Sequence, residues 1–318
     1  MSALSPEDLS ALSPEYLDEK NNPERLEGVS ILFITLSTIV FSLFVVSRAF
    51  CAPRNTWETW ALYPAAFIAT LSNSILCLLL VLITGSGRHT AYLLLFAPDK
   101  LTLYQKLRTA VELIYVLGTT LPKVALLSSY IRLFSGRRVK LLSWVTIAVI
   151  ILQILIFGFI VNFTICQPFS YQWDQTTGGK CGNVLLVYKV YSIPNILTDL
   201  AILGLPLPTL FRLQMGKAEK IGVVLTFLTG GLGLITAIIR FAEFYTTDLT
   251  SDRAFYSVDT FMWTVIEQGA YFICSCLPGT RALVNTLRGR LKRGITRQSQ
   301  AKFKVNDNHG SPEPNVSR

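Results

Sequence analysis

Seven stretches of this chain are each long and apolar enough to cross a bilayer, a pattern that leaves few folds open. A hydrocarbon core about 30 Å thick needs about 20 consecutive, mostly apolar helical residues. Runs of that length fall at 28–50, 59–83, 103–134, 141–163, 183–210, 221–244 and 259–287. A backbone in lipid must satisfy its own hydrogen bonds, so the expected fold class is all-α: a membrane-embedded bundle of seven transmembrane helices. Composition agrees, since 15% of residues are charged against about 25% in soluble domains.

Charge then sets orientation, because Lys and Arg beside a span resist translocation. With the C-terminus inside, inner segments carry eighteen basic residues, from Arg48 and Arg54 through Arg132, Arg137, Arg138 and Lys140 to the tail beyond Arg281. Outer segments carry six, namely Lys20, Arg25, Arg88, Lys100, Lys180 and Arg253. The imbalance predicts N-out and C-in, which requires an odd number of spans. The net charge of +9 is spread between apolar runs and forms no stripe, so nucleic acid is not an expected partner and the lipid bilayer is.

Three regions follow. Residues 1–27 read as a disordered or loosely helical acidic tail outside the membrane, residues 28–287 as the seven-helix domain, and residues 288–318 as a basic cytoplasmic tail. The acidic tail lacks the basic leading region of a signal peptide, so the first span is expected to be its own anchor. Past the last span, Leu283, Leu287, Leu291 and Ile295 recur four apart among Arg288, Arg290, Lys292 and Arg293, the pattern of an amphipathic helix lying on an anionic leaflet. A plain stop-transfer tail fits the same residues.

Cys166 and Cys181 bracket the outer loop between spans 4 and 5. On an oxidising side that spacing favours a disulfide holding a lid over the bundle mouth, with two free thiols as the alternative. Ionisable residues inside the spans are the sharpest signal, because each is costly unless paired or wet. Lys123 and Asp199 both lie eleven residues from the inner ends of spans 3 and 5, hence at equal depth, and form a candidate ion pair. Glu112, Lys189, Arg240 and Glu267 fall in the outer half, two acids and two bases able to neutralise one another. These six are the candidate polar or ligand-binding residues; fixing helix rotation and register is their alternative role. Gly230, Gly231 and Gly233 allow close helix contact in span 6.

Other chemistries are disfavoured. The last span and its flanks, from Arg253 to Leu291, contain no lysine, so a retinal Schiff base is not expected there, and no cofactor is. Two histidines, His89 and His309, and no C-x-x-C knuckle give no metal site. His89 reads as a solvated loop residue.

Several ordered strings carry a resemblance. They are Gly85-Ser86-Gly87-Arg88-His89, Pro122-Lys123 running to Tyr130-Ile131-Arg132-Leu133-Phe134, the Cys166–Cys181 loop with Pro168 and Trp173, Asp199-Leu200-Ala201 through Pro206-Leu207-Pro208, and Trp263-Thr264-Val265-Ile266-Glu267 followed by Leu277-Pro278. In these the chain resembles the fungal rhodopsin-domain family of seven-span membrane proteins over roughly residues 28–290. The resemblance implies an integral membrane protein for which receptor-like sensing is the usual proposal, at the plasma membrane or an endomembrane. The tail has no cysteines, so the CFEM domain of better-known relatives is not expected. The Asp-Arg-Tyr and Asn-Pro-x-x-Tyr strings of G-protein-coupled receptors are missing as well.

The leading expectation is therefore receptor-like binding of a small extracytoplasmic ligand beneath the lid, with cytoplasmic signalling partners at the inner loops and basic tail. An intramembrane enzyme of terpene cyclase or isomerase type, with Glu112, Asp199 or Glu267 as the proton donor, is the alternative. A transporter ranks lower because no inverted repeat divides the chain.

Overall fold

The computed structural model describes residues 19–51, 57–134, 136–174, 177–208, 217–246, 252 and 254–280. It is an all-α membrane bundle in which six helices are long and apolar enough to cross a bilayer. In chain order the elements are α1 (Pro23–Cys51), α2 (Trp57–Thr84), the short α3 (Thr90–Phe96), α4 (Pro98–Leu133), α5 (Arg137–Thr164), α6 (Val184–Gly204) and α7 (Lys217–Thr246). A further helix, α8, covers 254–280; it is not one of the six, but it is largely buried among them.

The helix ends follow local chemistry. Pro23 and Pro98 occupy first turns, where a missing N–H costs nothing, and Glu24 and Asp99 complement the dipole there. Asn183 caps α6, its side chain accepting from the Leu186 N–H at 3.0 Å. α6, which accommodates Pro194, stops at Gly204, short of the expected 210, where Pro206 and Pro208 remove two backbone donors within three residues. α1 begins at Pro23, inside the stretch read as a tail, and Leu26 is fully buried; residues 1–18 lie outside the described ones. So does the amphipathic segment read at 281–298.

α4 is the axis. Of its apolar window 61% is buried, against 22% for α1 and 28% for α5, so the last two present Ile31, Leu32, Leu141, Trp144 and Ile160 to the surroundings. Such a belt is stable only in lipid. At 36 residues α4 is about 54 Å long, so it tilts or projects beyond the hydrocarbon.

Glycines set the closest crossings. A Cβ at Gly118 of α4 would lie 2.7 Å from Gln268 Nε2 of α8. One at Gly233 of α7 would lie 2.7 Å from Tyr271 Cε2, and one at Gly230 equally close to Leu203 of α6. Gly231 faces open space. Aromatic stacking holds α1 to α2, with Phe44 and Tyr63 centroids 4.3 Å apart, while the Tyr63 hydroxyl reaches Ser129 of α4 at 2.9 Å.

Alternate chain connections meet at one end of the bundle. The Asn21 N–H donates to Gly87 O at 2.8 Å, the Gly87 N–H to Ala254 O at 3.0 Å, and the Asn21 side chain to Asp259 at 2.9 Å. Gly85 and Gly87 hold positive φ angles of 71° and 100°, which suits glycine where this turn wedges between the N-terminal segment and α8. The expectation of a solvated His89 is overturned. The ring is 4% exposed, stacks on Phe255 at 4.2 Å and meets Asp252 at 2.5 Å, because the two-glycine turn carries it inward.

Between α5 and α6 the chain makes a two-stranded antiparallel ribbon, β1 (Cys166–Gln167) with β2 (Lys180–Cys181), in which Cys166 faces Cys181 and the two form a disulfide. This lid lies at the same end of the bundle.

Candidate functional site

Beneath the lid is a cavity of about 600 Å³, within the range that takes drug-sized ligands. Its wall is built by successive turns of α4, whose spacing of three or four residues brings Tyr104, Arg108, Glu112 and Tyr115 onto one face. α6 contributes Tyr188 and Tyr191, α7 contributes Arg240 and Phe244, and α8 contributes Ser257, Thr260 and Thr264. The roof is the disulfide and its ribbon, including Tyr171, Gly179 and Lys180. Gly179 is required in that roof, since a Cβ there would sit 2.6 Å from Gln167 O and 2.9 Å from Tyr171 Cγ.

The α5 wall has an unusual backbone. From Ile154 to Val161 it is π-helical, and the wider turn directs Phe157 and Val161 into the cavity. Gly158 permits this, because α4 is close behind it: a Cβ would lie 3.0 Å from Val116 Cγ1.

Two charged groups stand at different depths. In the cavity wall Arg108 Nη2 lies 2.8 Å from Glu112 Oε1 and donates to the Tyr188 hydroxyl at 2.8 Å, and that hydroxyl donates to Glu112 at 2.5 Å. Both charges keep about a fifth of their side-chain surface open. Deeper, Arg240 Nε donates to Glu267 Oε2 at 3.1 Å and Nη2 donates to the Tyr115 hydroxyl, which in turn donates to Glu267 at 3.2 Å. Glu267 Oε1 accepts from Asn195 Nδ2 at 3.1 Å, Asn195 Oδ1 accepts from Lys123 Nζ at 2.8 Å, and Lys123 is 2.5 Å from Asp199.

The result is a continuous polar chain through α4, α6, α7 and α8. It starts at Tyr115 and Arg240, which line the cavity, and ends at Asp199, which is fully buried. In low dielectric such a chain ties the helices together, because breaking the Lys123–Asp199 or the Arg240–Glu267 link strands a buried charge.

Of the six residues singled out, the structure brings Lys123 to Asp199 and Arg240 to Glu267. It does not assemble Glu112, Lys189, Arg240 and Glu267 as one neutral quartet. Glu112 instead takes Arg108 on its own helix, and Lys189 turns to Tyr245, with Nζ 3.9 Å from the ring centroid. The physical reason is proximity: a partner one turn away on α4 is held at contact distance by the helix itself. Sequence reading missed Arg108, although its four-residue spacing to Glu112 was a usable signal, and Asn195, four before Asp199 on the same face. Tyr115 and Tyr188 carried no such signal, since the spans hold many aromatics. Among the described residues no cluster of three or more His, Cys, Asp or Glu gathers as a metal site.

A family model, the fungal rhodopsin domain, matches residues 43–286. A polyenoic acids biosynthesis gene cluster protein of Metarhizium anisopliae is 29% identical over 89% of this chain and 78% of its own length. A SAT4 family membrane protein of Emericella nidulans is 28% identical over 67% of the chain and 54% of its length. A protein of Arthrobotrys oligospora named Receptor GIN3 is 32% identical over 30% of the chain and 23% of its length. No solved structure matches the chain.

Proposed function

Taking as premise that the chain belongs to the fungal rhodopsin domain family, we propose that it is a receptor-like membrane protein that binds a small molecule beneath the disulfide-held lid without retinal. In this reading seven helices cross the membrane with the N-terminus and lid outside, and the basic tail meets signalling partners inside. The observation that carries it is the junction of cavity and polar chain at Tyr115 and Arg240. A ligand touching either side chain perturbs the contacts that set how α4, α6, α7 and α8 sit together. The relative named as a receptor lends support.

The test uses the protein in lipid nanodiscs and a small-molecule library. Compounds that raise the unfolding temperature of the wild type should fail to do so for Leu185→Trp, which projects a larger ring into the cavity, and should alter amide exchange in α6 and α7. Stabilisation that survives Leu185→Trp overturns the site, and stabilisation with unchanged exchange overturns the receptor-like part.

An enzymatic reading is favoured by one observation, the name of the relative placed in a biosynthesis gene cluster. It narrows to Glu112, because Glu112 lines the cavity whereas Asp199 and Glu267 are fully buried and do not. Membranes bearing wild-type or Glu112→Gln protein, incubated with cell extract and compared by mass spectrometry, separate the readings. A product that disappears with Glu112→Gln establishes the enzyme, and identical product profiles exclude it.

A further inference from the structure

We infer that the cavity selects an amphipathic molecule with an acidic head, carboxylate or phosphate, and that the Arg108 guanidinium is the group that receives it; this rests on the ligand-binding reading above. The cavity has two unlike walls. One carries Arg108, Arg240 and the hydroxyls of Ser257 and Thr260, and the other, made by the π-helical turns of α5 and the residue just after that helix, presents Phe157, Val161 and Ile165. A wholly apolar guest would strip water from the first wall without replacing its hydrogen bonds. A wholly polar guest would leave the second unfilled.

The polar wall is short of acceptors. Three ionisable bases line the cavity, Arg108, Lys180 and Arg240, against one acid, Glu112. Among the described residues, every hydrogen bond and ion pair of Arg108 runs through Nη2, so Nε and Nη1 are uncommitted. Arg240 spends Nε on Glu267 and Nη2 on Tyr115, leaving Nη1. Both arginines line the cavity, and none of these spare nitrogens is among the buried polar atoms left without a partner. The one acid is partly committed, since Glu112 Oε1 takes both Arg108 and Tyr188 and only Oε2 is left over.

The site therefore offers single N–H donors left over on two guanidiniums that line it. A guanidinium N–H makes a charge-assisted hydrogen bond to an oxyanion. Glu112 and Tyr188 hold the Arg108 guanidinium in place through Nη2, and the aromatic side chains accept the tail.

The experiment measures unfolding temperature and affinity in phosphatidylcholine nanodiscs for four probes sharing one tail: 4-hexylbenzoic acid, 4-hexylphenyl phosphate, 4-hexylbenzyl alcohol and 4-hexylbenzylamine. At least one acid should bind about tenfold tighter than the alcohol, the gain expected of a charge-assisted bond, and the amine should bind no better than the alcohol. Comparing the two acids assigns the head as carboxylate or phosphate. Arg108→Gln should erase the preference. If that variant does not fold, Arg108→Lys, which keeps the charge but not the N–H groups left over from Glu112 and Tyr188, should weaken it, and Lys106→Gln, an exposed lysine of the same helix outside the cavity, should not. An alcohol or amine that binds as well as both acids overturns the inference, as does an acid preference unchanged in the arginine variant. Equal binding by all four that Leu185→Trp abolishes leaves the cavity reading standing and removes the acidic head; no binding by any probe removes both.

Discussion

Lys123 Nζ lies 2.5 Å from Asp199 Oδ1, with both side chains essentially without exposure, and so ties the C-terminal half of α4 to the C-terminal half of α6. Neither charge can be left alone. Lys123→Met or Asp199→Leu alone should cost roughly 3–5 kcal/mol, because each strands a buried charge, while the double variant should lose far less than the sum. Thermal unfolding in detergent measures the cycle, and strictly additive losses would remove the coupling.

Glu267 receives hydrogen bonds from Arg240, Tyr115 and Asn195, whereas Glu112 sits at a partly open wall. Glu267→Gln should therefore lower the unfolding temperature more than Glu112→Gln. The reverse order would show that the cavity-wall pair, not the deep chain, holds the bundle.

The disulfide closes a loop with a separation of 15 residues, worth about 3 kcal/mol by loop entropy. Because the ribbon is a roof more than a strut, Cys166→Ser with Cys181→Ser should speed proteolysis between those positions by more than it lowers the unfolding temperature of the helices. Gly179→Ala should have the same signature with the disulfide intact. Proteolysis at the wild-type rate in either variant would show that the lid is held by other contacts.

Gly231 and Gly233 provide a matched pair one turn face apart. Gly233→Ala drives a Cβ against the Tyr271 ring and should cost about 1–3 kcal/mol. Gly231→Ala meets nothing within 4 Å and should be neutral or stabilising by up to about 1 kcal/mol through helix propensity. Equal effects would show that α7 and α8 do not approach as closely as described.

Much of the fold was legible because length and apolarity act locally. The expected first, second, fourth and sixth spans differ from α1, α2, α5 and α7 by a few residues at each end, and the Cys166–Cys181 bridge forms. The early stop of α6 was readable from Pro206 and Pro208, two missing donors in three residues, where the single prolines Pro64, Pro122 and Pro194 are accommodated inside α2, α4 and α6. α3 and the inward turn of His89 were not, since both depend on Gly85 and Gly87 adopting positive φ against a surface that the sequence does not display.

The candidate site divides along the same line. Counting residues gives depth, because an α-helix rises by a fixed amount per residue, and equal depth is what pairs Lys123 with Asp199 in the sequence. Which way a side chain points around the helix axis, and which helix stands next to it, is not in the count. Glu112 and Lys189 share a depth and do not meet; Glu112 and Arg108 meet because one helix carries both. The chain by itself determined that helices must bury their backbones in lipid and how far along each helix its charges lie. Only packing decided rotation and neighbour, since those follow from the close fits of Gly118, Gly230 and Gly233 against side chains far away in sequence, and on them depend the cavity, its lid and the polar chain beneath it.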